Sequence, residues 1–173
     1  MAGLLHLYIG DGKGKTTAAV GLSVRARGRD KTVVFAQFLK SGITGELRSL
    51  EQLGVRVIRS TVSFGFTYQM DEQTKTVCRN EQHHIMNRIA ESLKDESVDL
   101  LILDEILDAV NSGMLEEQTF RSFVENRDPA LEVALTGRGP GPWLLEIADY
   151  VSEIKKIKHP FDKGIQARTG IEK

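Results

Sequence analysis

The stretch Leu4–Thr17, LLHLYIGDGKGKTT, decides the fold. Leu4, Leu5, Leu7, Tyr8 and Ile9 have the apolar character of a short buried strand. Gly10, Gly12 and Gly14 follow, interleaved with Asp11, Lys13 and Lys15. Thr16 and Thr17 come next, and Ala18, Ala19, Val20 and Leu22 open a helical pattern. A strand, a glycine turn and a helix start in that order build a cradle for phosphate. Glycine lets the backbone approach the phosphates and turn its N–H groups inward, and the helix N-terminus adds partial positive charge. Lys15 supplies a full charge, and Thr16 offers a hydroxyl to a magnesium ion.

The spacing resembles a P-loop, with one difference. The usual motif has four residues between its first glycine and Gly-Lys-Thr; here only three separate Gly10 from Gly14, and Ile9 stands at the usual first-glycine position. The loop predicts a triphosphate site, and its shortening predicts that the triphosphate lies differently from that of a hydrolase. A second informative stretch is VDLLILDE, in which an apolar strand over Val98–Leu103 delivers Asp104 and Glu105. It resembles a Walker B segment, and parallel α/β sheets bind ligands at that end of their strands. Asp104 or Glu105 would then hold Mg²⁺, directly or through water, opposite Thr16. The competing reading is the acid enrichment common at helix N-termini. A third stretch is the strand Leu131–Leu135 running into Thr136–Pro142, TGRGPGP. Arg138 either reaches a phosphate or ribose from the same rim, or belongs to a simple strand–helix connection.

Bulk properties narrow the setting. A chain of 173 residues fits a single domain, here read as 1–173. A net charge of −1 speaks against a nucleic-acid binder working by bulk electrostatics. The single cysteine, Cys78, excludes an internal disulfide and suits a reducing compartment. Absence of a long apolar run or a leader pattern predicts a cytoplasmic protein with no membrane partner.

Along the chain, the pattern predicts an amphipathic helix over Thr16–Arg27 and a buried strand over Lys31–Leu39. Lys40–Glu46 reads as loop, Leu47–Leu53 as a short helix and Val55–Ile58 as a short strand. Thr61–Met70 carries Phe64, Phe66 and Tyr68 around Gly65. It is either a small strand with a core face or a functional loop whose rings wall a pocket. Asp71–Lys94 reads as a long polar helix with Val77, Ile85, Ile89 and Leu93 among its apolar positions. His83 and His84 on it point about 100° apart and cannot chelate one metal together. Asn111–Gly113 is a turn, Glu116–Asn126 and Trp143–Asp149 are helices, and Val151–Ile157 suits an edge strand. The tail, 158–173, is rich in turn residues and lysine and reads as a solvated terminus. The alternation gives an α/β domain with a mainly parallel sheet.

Together these residues resemble the P-loop type of ATP:corrinoid adenosyltransferase, the cob(I)yrinic acid a,c-diamide adenosyltransferase family. The segments that carry the resemblance are GDGKGKTTAAVGLSVRARG (10–28), VVFAQFLKSG (33–42) with Gly45-Glu46, GFTY (65–68), LLILDE (100–105), LTGRG (135–139) and ADYVSEIKKIKHPFDKGIQARTGIE (148–172). The resemblance implies a RecA-like P-loop fold, a mainly parallel sheet with helices on both faces. It implies transfer of the 5′-deoxyadenosyl group of ATP to the cobalt(I) of a corrinoid, cob(I)alamin or cob(I)yrinic acid a,c-diamide, with release of the whole triphosphate. The setting would be cobalamin biosynthesis or salvage.

By the same resemblance, Gly10, Asp11, Gly12, Lys13, Gly14, Lys15, Thr16 and Thr17, with Arg25 and Arg138, hold the nucleotide. Thr16, Asp104 and Glu105 hold Mg²⁺ or Mn²⁺. Lys15 and Thr16 act on the triphosphate, while Phe66 and Tyr68 pack against the corrin ring and displace its lower axial ligand. Tyr68 stands where some members have Trp, and some begin with an extra helical segment over the corrinoid site, whereas this chain starts at its first strand. A flavoprotein reductant and a homodimer are further implications. Two other functions share the loop: a P-loop ATPase or phosphotransferase cleaving the γ-phosphate, and a carrier that binds without turnover.

Overall fold

The computed structural model describes residues 2–40, 42, 44–63, 65, 69–95 and 97–172. Six strands form one sheet: β1 (Leu5–Ile9), β2 (Val33–Gln37), β3 (Arg56–Arg59), β4 (Leu100–Asp104), β5 (Glu132–Gly137) and β6 (Tyr150–Glu153). Their order is β3-β2-β4-β5-β1-β6, and every pairing is parallel. The helices are α1 (Lys15–Arg27), α2 (Gly45–Gln52), α3 (Glu72–Asp95), α4 (Ile106–Asn111), α5 (Glu117–Glu125) and α6 (Pro142–Ile147). This is the α/β fold of P-loop type that the sequence predicts.

Successive strand residues point to opposite faces, so each fully buried strand feeds two cores. Val34, Ala36, Leu101, Leu103, Val133 and Leu135 meet Ile85 and Ile89 of α3, Ile106 of α4, Phe120 of α5 and Leu144 of α6. Val33, Phe35, Leu100, Ile102 and Ala134 meet Ala19 of α1 and Leu50 of α2. Helices on both faces leave the carboxyl ends of the strands open, with the glycine loop after β1 and the acids after β4 on one rim. Strand β5 lies between β1 and β4, so any link between loop and acids must span it.

Several boundaries and faces differ from the sequence expectation for identifiable reasons. Strand β2 stops at Gln37 because the backbone turns left-handed at Leu39 (φ 58°). Helix α4, which the pattern does not announce, begins straight after Glu105, itself left-handed (φ 61°) with no side-chain cap. A carboxylate residue thus makes a turn normally marked by glycine. The buried positions of α1 are the small Ala19 and Ser23, while Val24 is exposed, so the helix is less amphipathic than predicted. On α3, Val77 is exposed and the buried line runs through Cys78, Gln82, Ile85, Met86 and Ile89. His83 pairs with Glu116 at 2.6 Å on the surface and His84 is exposed.

Strand β6 is the edge strand expected, but shorter, and all four of its residues are exposed. Of 61–70, Phe64 and Phe66–Tyr68 lie outside the described residues; those described there form no strand.

Gly137, at the end of β5, has φ +146°, and a Cβ there would lie 2.6 Å from Leu107 Cβ and 2.8 Å from Asp108 Oδ2. Gly137→Ala should therefore lower stability by about 3 kcal/mol through backbone strain and overpacking. Urea denaturation reads this; an unchanged midpoint would contradict the packing described.

Candidate functional site

Gly10 (φ +111°) turns the chain out of β1, where a side chain would strike the carbonyl of Ile154. Ile154 N–H donates to Ile9 O and Gly12 N–H to Ile154 O, both at 2.8 Å, so the glycine loop is sewn to the segment after β6. Lys156 N–H donates to Asp11 Oδ1 at 2.9 Å, which lowers the Asp11 pKa. Asp11 therefore braces the loop. Helix α1 starts at Lys15 with no side-chain cap and no acid in its first turn, leaving its positive end to a ligand.

A cleft of about 980 Å³ opens over this helix end. Its lining includes the loop from Asp11 to Thr17, together with Lys40, Glu105, Asp108, Thr136 and Arg138. The cations Lys13, Lys15, Lys40 and Arg138 face it from three connections. Lys15 Nζ donates to Gly12 O at 3.0 Å, and its pKa is lowered by burial and then by the nearby Arg138 charge. A triphosphate would replace that bond with a stronger charge-assisted one. Asp108 approaches Lys15 and Arg138; burial raises its pKa, against the pull of Arg138.

Asp104 is the centre of the site and is fully buried. Oδ1 accepts from the hydroxyls of Thr16 and Thr136, each at 2.8 Å. Oδ2 accepts from Lys40 Nζ at 3.0 Å and Gln37 Nε2 at 3.3 Å. The Thr136 hydroxyl, on the intervening β5, also accepts the Glu105 N–H at 2.9 Å. Lys40 reaches Glu105 Oε1 at 3.2 Å. Burial opposes the Lys40 charge, but Asp104 and Glu105 outweigh it and raise the Lys40 pKa. Burial raises the Glu105 pKa.

The structure thus brings together most of the residues that the sequence selects. Asp11, Gly12, Lys13, Gly14, Lys15, Thr16, Thr17, Glu105 and Arg138 line the cleft, and Asp104 lies beneath it, bonded to Thr16. Gly10 shapes the loop from behind. Arg25 is set apart: it is exposed, about 15 Å along α1 from Lys15 at a helical rise of about 1.5 Å per residue. It is outside the cleft lining, and its charge lies close enough to Tyr8 to oppose the rise that burial gives the Tyr8 pKa. Phe66 and Tyr68 lie outside the described residues.

Sequence reasoning missed Lys40, Gln37, Thr136 and Asp108 as parts of the site. Lys40 and Gln37 lie at the carboxyl end of β2, the rim where ligands bind in such sheets, and that position was the available signal. The tail is also more than a solvated end. The half-buried His159 and the exposed Phe161, Ile165 and Ile171 line the cleft, and Pro160–Lys163 form a short 3₁₀ turn.

The donors suit a hard divalent cation. A threonine hydroxyl and two carboxylates are oxygen ligands, and the Lys40 ammonium already stands among them as a positive stand-in. Among the described residues no group of three or more His, Cys, Asp or Glu is placed to hold a metal. The arrangement therefore suits an ion that completes its shell with water and phosphate, as Mg²⁺ does.

Thr136→Val removes one donor to Asp104 and strands the Glu105 N–H, which should lower stability by about 1–3 kcal/mol. Thr136→Ser should retain most of it in the same urea titration; equal stability of Val and wild type would remove Thr136 from the network.

Comparison with known proteins agrees with this geometry. The family described as ATP:corrinoid adenosyltransferase BtuR/CobO/CobP matches residues 1–172. The corrinoid adenosyltransferase of Escherichia coli (strain K12) is 36% identical over 98% of this chain and 85% of its own length. Corrinoid adenosyltransferase CobA of Salmonella typhimurium is 34% identical over 98% and 85%, and the Pseudomonas aeruginosa enzyme 33% over 98% and 83%. A match over nearly the whole chain, with the loop and the acids at the expected rim, makes the chain a member of the ATP:corrinoid adenosyltransferase family.

Proposed function

We propose that the cleft binds ATP with its triphosphate on the glycine loop and its ribose 5′-carbon turned toward a corrinoid. The protein is a corrinoid adenosyltransferase of cobalamin biosynthesis. In its reaction the cobalt(I) of the corrinoid attacks the 5′-carbon of ATP. The cobalt–carbon bond forms as the carbon–oxygen bond breaks, and the electron pair leaves on the triphosphate. Cobalt(I) is itself a strong nucleophile, so the chain's task is to align the 5′-carbon and to stabilise charge on the departing group. The observation that carries this reading is the convergence of Lys13, Lys15, Lys40, Arg138 and the open end of α1 on one cleft.

Lys15 lies at the start of α1 and holds the triphosphate; Lys13 and Arg138 neutralise it from either side. Thr16, Asp104 and Glu105 are the residues that would hold Mg²⁺ or Mn²⁺, which when bound neutralises phosphate charge. Arg25 has no part in this geometry; its assignment as a nucleotide ligand rests on the resemblance alone. Phe66 and Tyr68 take the role the resemblance gives them, displacing the lower axial ligand so that cobalt(II) is reduced more readily. The chain works as one domain, and the reading extends to a flavoprotein electron donor, a homodimer and a cytoplasmic setting. Among the described residues no helix is long and apolar enough to cross a membrane.

An anaerobic assay with Mg-ATP and chemically reduced cobalamin tests the reaction. It should yield a light-sensitive cobalt–carbon product and one triphosphate per turnover. Orthophosphate without a change in the corrinoid spectrum would favour the γ-phosphate-cleaving alternative. Lys15→Ala should lower kcat/KM for ATP at least about 100-fold, the loss of roughly 2.7 kcal/mol of transition-state stabilisation.

Phe66→Ala should leave ATP binding unchanged by calorimetry and slow turnover only when the corrinoid starts as cobalt(II). Equal loss of ATP affinity in both variants would contradict this division of labour.

A further inference from the structure

Lys40 is unexplained by phosphate binding alone, because its ammonium is held by the acid pair and the Thr16 hydroxyl. Nζ lies 3.0 Å from Asp104 Oδ2, 3.2 Å from Glu105 Oε1 and 3.4 Å from Thr16 Oγ1. These are the same three side chains that would hold the divalent cation. Metal–oxygen bonds to Mg²⁺ are about 2.0–2.1 Å long, so an ion bound to all three oxygens would need the space between them that the ammonium fills.

We propose that Lys40 is the resident cation of the Asp104–Glu105 pair in the nucleotide-free protein and gives way when the nucleotide brings the metal in. The exchange rests on the reading of Thr16, Asp104 and Glu105 as the metal site. It deepens that reading by making metal binding conditional on the triphosphate. Without nucleotide, a metal must expel Lys40 into water and gains only the protein's oxygens. With nucleotide, phosphate oxygens complete the metal's shell and also receive the displaced ammonium, since Lys40 already lines the cleft.

The backbone is built to deliver this side chain. Leu39, which is not glycine, is left-handed at φ 58°, and Lys40 N–H donates back to Phe38 O at 2.6 Å, closing a tight three-residue turn. Such a conformation persists only where its surroundings enforce it. Here Gln82, fully buried on α3, accepts the Leu39 N–H at 3.0 Å, and Phe38 N–H donates to Asp104 O at 2.9 Å. Both ends of the turn are therefore anchored, one to α3 and the other to the acid itself. Glu105, the second acid, is also left-handed. One strained residue precedes Lys40 and the other is its partner, so the pair is set by enforced backbone on both sides.

The test is Mn²⁺ binding to the nucleotide-free protein, with free Mn²⁺ followed by electron paramagnetic resonance and folding checked by circular dichroism. Lys40→Met should bind Mn²⁺ at least about tenfold more tightly than wild type, a difference of about 1.4 kcal/mol. Lys40→Arg should bind as weakly as wild type. Lys40→Gln carries the same expectation as Lys40→Met and replaces it if Met prevents folding. Equal Mn²⁺ affinity in the uncharged variant and wild type overturns the exchange. Asp104→Asn in the ATP complex tests the metal site separately: undiminished Mn²⁺ binding there would remove the site itself. None of these readouts requires adenosyl transfer, so failure of the proposed reaction would show independently in the corrinoid assay.

Discussion

The structure depends on one buried carboxylate. Asp104 is fully inaccessible, and its carboxylate is paired with the Lys40 ammonium at the end of a central strand. Leaving such a charge unpaired costs about 3–5 kcal/mol, so its partners must be present and well placed. They come from four places: Thr16 on α1, Gln37 on β2, Lys40 beyond it, and Thr136 on β5. Strand β5 separates the loop strand from the acid strand; Thr16 reaches Asp104 directly across that gap, and Thr136 holds the acid from β5 itself. Satisfying Asp104 therefore fixes how the glycine loop, the acids and the β2 turn lie relative to one another.

That arrangement favours rigidity on the acidic side and availability on the loop side. Glu105 and Leu39 hold left-handed backbones that a loose site would relax. The α1 N-terminus is left uncapped, and Lys15 is bound only to a loop carbonyl, a partner it can exchange for phosphate. Residues of the tail also line the cleft. The backbone groups of Ile154 and Lys156, just before the tail, are tied to Gly12 and Asp11.

Much of this was legible in the sequence because the signals are local. Strand, glycine run and helix start occupy fourteen consecutive residues in Leu4–Thr17, and the apolar run ending in Asp104 and Glu105 is equally compact. What was illegible depends on contacts between distant segments. Lys40 follows β2 in sequence but acts on β4, and Thr136 looks like an ordinary strand residue until β5 is placed between β1 and β4. Helix α4 escaped because Glu105 makes its turn without glycine or proline to mark it. The tail's composition signals solvation, yet the segment that leads into it is bonded to the loop, and tail residues line the cleft. Arg25, which the resemblance places at the nucleotide, lies near the far end of α1, outside the cleft lining.

The chemistry follows from what the cleft holds and from the nucleophile the substrate brings. Charge stabilisation is concentrated at the triphosphate end. The one imidazole in the described lining, His159, already accepts the Phe161 N–H on Nδ1 at 3.2 Å. Cys78 is buried on α3, packed with Met114. The proposed reaction is thus a single displacement at the 5′-carbon, with the protein positioning and neutralising rather than attacking. The most direct test is the stereochemistry of transfer from ATP made chiral at the 5′-carbon with deuterium, read by NMR of the adenosylated corrinoid. Inversion of configuration is the predicted result. Retention would require a second displacement through an enzyme nucleophile and would contradict the account.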